Sequence, residues 1–268
     1  MTAGPTVIHD DTALPSVPTV TAVSRAVRIL EAVAAADTPL TAGRIARELS
    51  LPRSTTLGLC VTLAETGLLQ RDPAGLYHLG RGLMNLSHQY LRKLDVIEEF
   101  QNACRELGVL TTETMLVAVR DGRYITSVAK RPGSSVFGLE ISVGRPVPAH
   151  ATAMGKAMLA SLTDDELASL YEDRPFEKLT ENTIDNFRTL LDELALVRTD
   201  GYAVDDEETT PGLMCVGAPV LMSRPMSEPT AVAAVAVALV KSANNDETVA
   251  SAAEGVRAVA DVVSERLP

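Results

Sequence analysis

Residues 41–67, TAGRIARELSLPRSTTLGLCVTLAETG, contain two helical segments separated by a short break. Apolar residues recur on one face of 41–49, as in an amphipathic helix. Ser50-Leu51-Pro52 interrupts that helix, and proline is favoured in the first turn of the helix that follows. The second helix extends over 53–66 and ends at Gly67, a residue type preferred just beyond a helix C-terminus. The stretch therefore predicts a helix-turn-helix.

The flanking residues extend this motif in both directions. Upstream, Val23, Val27, Leu30 and Ala34 recur at helical spacing and predict a helix that buries this face. Downstream, two short strand-like runs flank the turn sequence Asp72-Pro-Ala-Gly75 and predict a small hairpin. Three helices followed by a hairpin are the outline of a winged helix-turn-helix.

The periodicity also predicts the domain organisation. A long helical stretch covers 81–107, and we expect it to break near Lys93-Leu94-Asp95. We therefore divide the chain into a flexible tail (1–20), a winged helix-turn-helix domain (21–80), a linker helix (81–94) and a second domain (95–268).

The second domain alternates strand-like and helical runs. Predicted strands cover 113–120, 123–130, 137–143, 202–205, 214–221 and 231–240, and predicted helices cover 151–161, 163–171, 184–200 and 246–267. Asp121-Gly122 is the sequence that a type I′ hairpin turn requires. Thr163 and Glu166 have the spacing of a capping box. The pattern predicts an α+β domain around an antiparallel sheet.

The charge of the chain is unevenly distributed. The 268 residues carry 24 basic and 35 acidic side chains, a formal charge of −11, which taken alone speaks against nucleic acid as a partner. Residues 1–20 contribute −2, residues 21–88 carry seven arginines against five acidic residues (+2), and the remainder contributes −11. A mildly basic N-terminal block on an acidic protein is typical of a nucleic-acid contact.

Other features of the composition restrict the class of protein. Cys60, Cys104 and Cys215 share no CxxC spacing and form an odd set, which favours a reducing cytoplasm over a disulfide framework. The longest apolar run, 231–240, is half the length that crosses a bilayer. We expect a cytoplasmic protein without a membrane partner.

The helix over 53–66 is the candidate DNA-recognition helix. Helical spacing places Leu57, Cys60, Val61 and Ala64 on an inner arc and Ser54, Thr55, Gly58 and Thr62 on the outer one. Short polar groups near a helix N-terminus bind phosphate, and arginines add charge. The expected DNA-binding residues are Arg44, Arg47, Arg53, Ser54, Thr55, Thr56, Gly58 and Arg71. The alternative is that this polar face of the helix is exposed to solvent and does not bind DNA.

Several segments together resemble the IclR family of transcription factors. They are Ser24-Arg-Ala-Val-Arg-Ile-Leu-Glu31, residues 45–55, residues 63–68 and Tyr77-His-Leu-Gly80, followed by Pro148-Ala-His-Ala-Thr-Ala-Met-Gly-Lys-Ala157, residues 201–208 and Cys215-Val-Gly-Ala-Pro-Val220. These segments occur in the family's order from about residue 21 onward. Each motif is weak alone, whereas the combination is specific.

The resemblance implies a winged helix-turn-helix, a helical linker and a GAF/PAS-like effector domain. It also implies a homodimer, often paired into a tetramer, on palindromic double-stranded operator DNA, with a small organic acid as effector. Whether such a regulator represses or activates is left open. One departure is Gly58, where family members commonly carry a basic or large polar residue.

The resemblance also implies effector-binding positions. They are Ala153, Met154, Asp205, Cys215, Ala236 and Ala238. Family members that bind small polar acids carry serines at about the last two positions, so we expect a less polar pocket suited to an aromatic or longer aliphatic acid. Asp205 alternatively belongs to a solvated charge run, and Cys215 is alternatively an inert buried side chain.

The remaining candidate chemistry is sparse. No histidine pair has metal-ligand spacing and no nucleotide or hydrolase fingerprint occurs, so we expect no metal, no cofactor and no catalytic residue. His150 is expected to be a hydrogen-bonded cap, and Lys156 a surface or dimer contact. Two alternatives to an effector-responsive regulator are a thiol enzyme that uses Cys215 and a DNA-binding protein without an effector.

Overall fold

The computed structural model describes residues 20–91, 95–134, 143–222, 229–243 and 246–267. The chain divides into two compact units, up to residue 93 and from residue 94 onward, and we describe each by itself. Of the predicted elements, the strand over 137–143 falls almost wholly outside the described residues. Within the described part, no helix is sufficiently long and apolar to cross a membrane.

The N-terminal unit is the expected winged helix-turn-helix. Its elements are α1 (Thr21–Ala35), α2 (Ala42–Glu48), α3 (Arg53–Glu65), β1 (Leu69–Arg71), β2 (Tyr77–Leu79) and α4 (Gly82–Leu91). The Thr41 hydroxyl accepts a hydrogen bond from the Arg44 N–H and so caps the start of α2. β1 and β2 pair antiparallel and form the wing.

The core of this unit corrects the predicted face of α1. Ile29 and Val33 of α1 are buried, whereas Val23 and Val27 are exposed. The core comprises Ile29, Val33, Leu40, Ile45, Cys60, Leu63, Leu69 and Tyr77. Because α1 carries apolar residues on two adjacent faces, periodicity identifies the helix but not the face that packs.

The C-terminal unit is a six-stranded antiparallel sheet covered by helices. Its elements are α5 (Asp95–Leu107), β3 (Thr114–Asp121), β4 (Tyr124–Arg131), β5 (Pro146–Pro148), a 3-10 turn (Ala149–Ala151), α6 (Ala153–Leu159), α7 (Asp164–Tyr171), α8 (Phe187–Asp200), β6 (Ala203–Asp206), β7 (Leu213–Met222), β8 (Thr230–Val240) and α9 (Asp246–Arg266). The strand order is β5-β4-β3-β8-β7-β6. The fold class is α+β, as expected.

Two local predictions have different outcomes. The capping box is confirmed, because the Thr163 hydroxyl accepts from the Glu166 N–H while the Glu166 carboxylate accepts from the Thr163 N–H. The turn between β3 and β4 is shifted by one residue, since Asp121 pairs with Tyr124 and leaves Gly122 and Arg123 as the turn. Only Gly122 has positive φ, as in a type II′ rather than a type I′ turn.

The two faces of the sheet carry side chains of different size. Along β8, Ala234, Ala236 and Ala238 belong to the core shared with α6, and alternation places the intervening valines on the face covered by α9. Small side chains allow α6 to approach closely. A Cβ atom added to Gly217 of β7 would lie 2.9 Å from the Ala153 carbonyl carbon.

Gly155 provides a test of this close packing. A Cβ atom at Gly155 would lie 2.1 Å from the Ala149 carbonyl oxygen, a backbone atom that has no rotamer to change. We expect Gly155→Ala to lower the free energy of unfolding by about 3 kcal/mol, the upper end for overpacking. Gly58→Ala is the matched control, because nothing lies within 4 Å of its added Cβ atom. Denaturant unfolding followed by circular dichroism measures both, and equal stabilities would contradict the packing argument.

Candidate functional site

The exposed face of α3 differs from the expected one. Leu57 and Val61, placed on the inner arc by spacing, are 48% and 38% exposed. Cys60 and Leu63 form the buried face instead. Thr56 is fully buried and its hydroxyl donates to the Pro52 carbonyl oxygen at 3.1 Å, so the expectation that its side chain contacts DNA is wrong.

The basic side chains around α3 are not equally available. Arg47 and Arg53 are exposed, and no partner for either guanidinium occurs among the described residues. Arg44 donates through Nε to the Glu48 carboxylate at 2.7 Å, which neutralises part of its charge. On the wing, the Arg71 guanidinium lies 5.8 Å from the centre of the Tyr77 ring. Arg47 and Arg53 are therefore the strongest candidates for phosphate contacts.

The short side chains at the start of α3 complete this surface. Ser54 is exposed and Thr55 is half-buried in the first turn, where helix N–H groups favour an anion. Gly58, one turn further, is exposed, and an added Cβ atom would meet open space. The structure thus keeps seven of the eight expected DNA-binding residues at or near the surface.

Sheet register brings the expected effector residues together. Asp205 of β6 lies opposite Cys215 of β7, which lies opposite Ala238 of β8. In the next row on the same face, Gly217 lies opposite Ala236. Residues of three consecutive strands therefore line one patch of the sheet.

The start of α6 covers this patch. Ala153 and Met154 lie directly over Gly217, as the close approach of their backbone atoms shows. Thr152 caps α6 by accepting from the Gly155 N–H at 2.9 Å. Among the described residues, no acceptor is found for the backbone N–H groups of Ala153 and Met154.

β3 adds residues to this patch that the sequence did not indicate. Thr114 lies opposite Ala238 and Leu116 lies opposite Ala236. Strand pairing of this kind joins positions more than 100 residues apart, and the two runs carry no complementary signal that would have revealed it. Leu116 is buried in the same core as Met154.

Asp205 is buried rather than solvated. Its carboxylate accepts from the Glu208 N–H at 2.7 Å and from the Thr209 hydroxyl at 2.8 Å. Burial raises the pKa of Asp205, although these hydrogen bonds favour its charged form. The residue therefore holds the 205–209 loop in place beside Cys215.

Lys156 corrects another expectation, because it is neither a surface nor a dimer contact. It is buried, and its Nζ donates to the carboxylates of Glu208 at 2.5 Å and Glu193 at 2.9 Å. Oε2 of Glu208 is buried and has no hydrogen-bond partner among the described residues. Burial raises the pKa of Glu208. The ion pair with Glu208 links α6 to the loop that follows β6.

The surroundings of Cys215 argue against a thiol enzyme. Burial raises the pKa of Cys215 well above its ordinary value, and the neighbouring Asp205 carboxylate adds to this effect. The thiolate nucleophile is therefore disfavoured. A thiol enzyme would also need a base or a second cysteine near Cys215, but the Cys104 thiol contacts the Met115 sulfur at 3.8 Å.

His150 lies in an aromatic cluster beside a separate cavity of about 210 Å³. Its ring packs edge-on against Phe176 at 4.8 Å, and Nε2 lies 3.1 Å from the Glu177 carbonyl oxygen, which can only accept. Burial lowers the pKa of His150 to about 4. None of the six expected effector residues lines this cavity. The described residues also contain no group of three or more His, Cys, Asp or Glu side chains that could hold a metal ion.

Comparison with known protein families gives two matches that together span most of the chain. Residues 22–73 match the IclR helix-turn-helix domain, and residues 88–265 match the bacterial transcriptional regulator IclR C-terminal domain. The HTH-type transcriptional regulator XynR of Escherichia coli (strain K12) is 32% identical over 204 residues, which are 76% of this chain and 81% of XynR.

Solved structures show the same fold. The IclR protein of Thermotoga maritima is 26% identical, with a TM-score of 0.72 over 91% of this chain and 98% of that chain. An IclR homologue from Microbacterium hydrocarbonoxydans, crystallised with 4-hydroxybenzoate, is 20% identical, with a TM-score of 0.72 over 91% and 100% of the two chains. At that identity the likeness shows the fold alone.

The buried imidazole predicts a pH-dependent stability. As the pH falls below 6.5, unfolded chains bind a proton at His150 that the folded protein, with its pKa of about 4, excludes. Stability is therefore lost on acidification, by about 1 kcal/mol between pH 7 and about pH 5.5. His150→Gln, whose amide can still donate to the Glu177 carbonyl, should remove this component.

Urea unfolding of the wild type and His150→Gln at the two pH values measures the difference. Leu79→Gln, an exposed side chain of the wing that does not titrate, is the control and should retain the wild-type pH dependence. An unchanged dependence in His150→Gln would show that His150 titrates alike in both states.

Proposed function

The chain belongs to the IclR family of bacterial transcriptional regulators, and we propose that a small organic acid controls its binding to operator DNA. In this proposal the winged helix-turn-helix (21–80) binds the operator, the linker helix (81–94) dimerises and the effector domain (95–268) binds the acid. The effector acts through its differential affinity for DNA-competent and DNA-incompetent dimers.

The DNA half of the proposal rests on the unpaired arginines beside α3. Arg47 of α2 and Arg53 at the start of α3 are exposed, and in this proposal both contact phosphate groups along the major groove. Residues 20–91 hold seven arginines against five acidic residues, so one domain has a net charge of only +2. Because so small a charge gives weak DNA binding, we infer that two domains engage a palindromic operator together.

The dimer is supported by exposed apolar side chains on the linker helix. Met84 and Leu86 of α4 are largely exposed within the N-terminal unit. Large apolar side chains on a short exposed helix are typical of a surface that a partner covers. A homodimer that pairs through this helix, with further pairing into a dimer of dimers, accounts for both residues.

The effector half rests on one observation: four of the six expected positions lie on one patch of the sheet, and the other two lie at the start of α6, which covers that patch. The unaccepted N–H groups of Ala153 and Met154 suit a carboxylate. Ala236 and Ala238 give the patch an apolar wall, and Asp205 and Cys215 lie at its polar edge. This distribution favours an aromatic or longer aliphatic acid as the effector. Acids of this kind occur as intermediates of catabolism.

Arg53→Ala tests the phosphate contact. We expect weaker binding to every DNA sequence and a decrease of about one per bound domain in the slope of log affinity against log salt concentration. Fluorescence anisotropy over a series of salt concentrations measures both quantities. Arg188→Ala, an exposed arginine of the effector domain, is the matched control and should leave the slope unchanged. An unchanged slope in Arg53→Ala would exclude a phosphate contact for Arg53.

The effector pocket is tested by calorimetry and thermal shift. We expect an aromatic acid from a panel that includes 4-hydroxybenzoate to raise the melting temperature, because a ligand of the folded state stabilises it. Ala238→Ser should weaken the binding of that acid by making the wall polar. Binding of only two- or three-carbon acids such as glyoxylate or pyruvate would contradict the proposed pocket. No binding by any acid would favour a DNA-binding protein without an effector.

A further inference from the structure

The outward face of α3 has an apolar centre. Leu57 and Val61 lie one turn apart on the same face as Arg53, and both are substantially exposed. Packing within the N-terminal unit leaves both side chains exposed, since α3 contributes Cys60 and Leu63 to the core instead. The apolar centre is thus presented to whatever α3 binds.

This face offers few hydrogen-bonding groups between Ser54 and Glu65. Gly58 has no side chain, and open space surrounds the position of its missing Cβ atom. Thr62 donates its only hydroxyl proton to the Gly58 carbonyl oxygen at 3.1 Å, within the helix. Between Ser54 and Glu65 the helix therefore lacks the amide and guanidinium groups that bind purine edges in pairs.

We infer that Leu57, assisted by Val61, recognises the 5-methyl groups of thymine in the operator. The inference rests on the proposed DNA-binding function. In the major groove, the thymine methyl is the base substituent that an apolar side chain contacts favourably. Because Gly58 has no side chain, α3 can approach the base edges closely. The short Leu57 side chain can then reach a thymine methyl group. Specificity at the centre of each half-site therefore comes from apolar contact.

The helix geometry limits the spacing of these thymines. Leu57 and Val61 are four residues apart, which is about 6 Å along the helix axis. Base pairs are stacked about 3.4 Å apart. The recognised methyl groups therefore lie within about two base-pair steps of each other.

The experiment compares thymine with uracil, which differ only by this methyl group. The full-length protein first selects its operator from random duplexes, and each thymine of a half-site is then replaced by deoxyuridine. At one or two adjacent positions we expect affinity to fall about fourfold, the factor that corresponds to one buried methyl group. Leu57→Ala should lower affinity for the thymine operator and show no difference between thymine and uracil at the position that Leu57 contacts.

A matched variant and a second substitution define the outcomes. Leu196→Ala, a leucine of α8 that is 60% exposed, should retain the full thymine preference. Val61→Ala should reduce the preference at the neighbouring position only. No effect of uracil at any position, or an unchanged effect in Leu57→Ala, overturns the inference while leaving operator binding intact. Selection of no preferred sequence overturns the proposed function as well.

Discussion

The close approach of α6 to the sheet is the constraint on which the C-terminal unit depends. Gly217 and the alanines of β8 remove side-chain bulk from one face, and Gly155 lets the helix backbone lie against Ala149. Because interiors pack at nearly crystalline density, this face excludes larger residues. The same small residues that seat the helix also form the wall of the candidate effector site. Packing and recognition therefore restrict the same positions.

The constraint on the N-terminal unit is different. One face of α3 is exposed, and its other side chains pack against the rest of the unit and hold the helix in place. Cys60 and Leu63 anchor the helix, and the Thr56 hydroxyl is used inside the domain. What remains outside is a mixed surface with arginine at one end and apolar side chains at its centre. In the proposed complex the arginines supply non-specific attraction to phosphate, and the apolar side chains contact thymine methyl groups.

Features governed by local sequence were predictable to within a few residues. Pro52 before α3, Gly67 after it and the capping box of Thr163 each act through neighbouring backbone groups. Features governed by tertiary packing were not. The buried face of α1, the exposure of Leu57 and the ion pair between Lys156 and Glu208 depend on partners far along the chain. The expected effector positions were identified from the family resemblance. The register of the sheet explains why they lie close together.

The position of β3 in the sheet has a consequence for synthesis on the ribosome. β3 lies between β4, its neighbour in sequence, and β8, which begins more than 100 residues later. During translation the hairpin of β3 and β4 emerges with one edge unpaired until β8 follows, and unpaired strand edges promote association between chains. The N-terminal unit, whose contacts are local, completes its folding first. Nascent chains therefore contain a folded winged helix-turn-helix before the C-terminal unit has been synthesised.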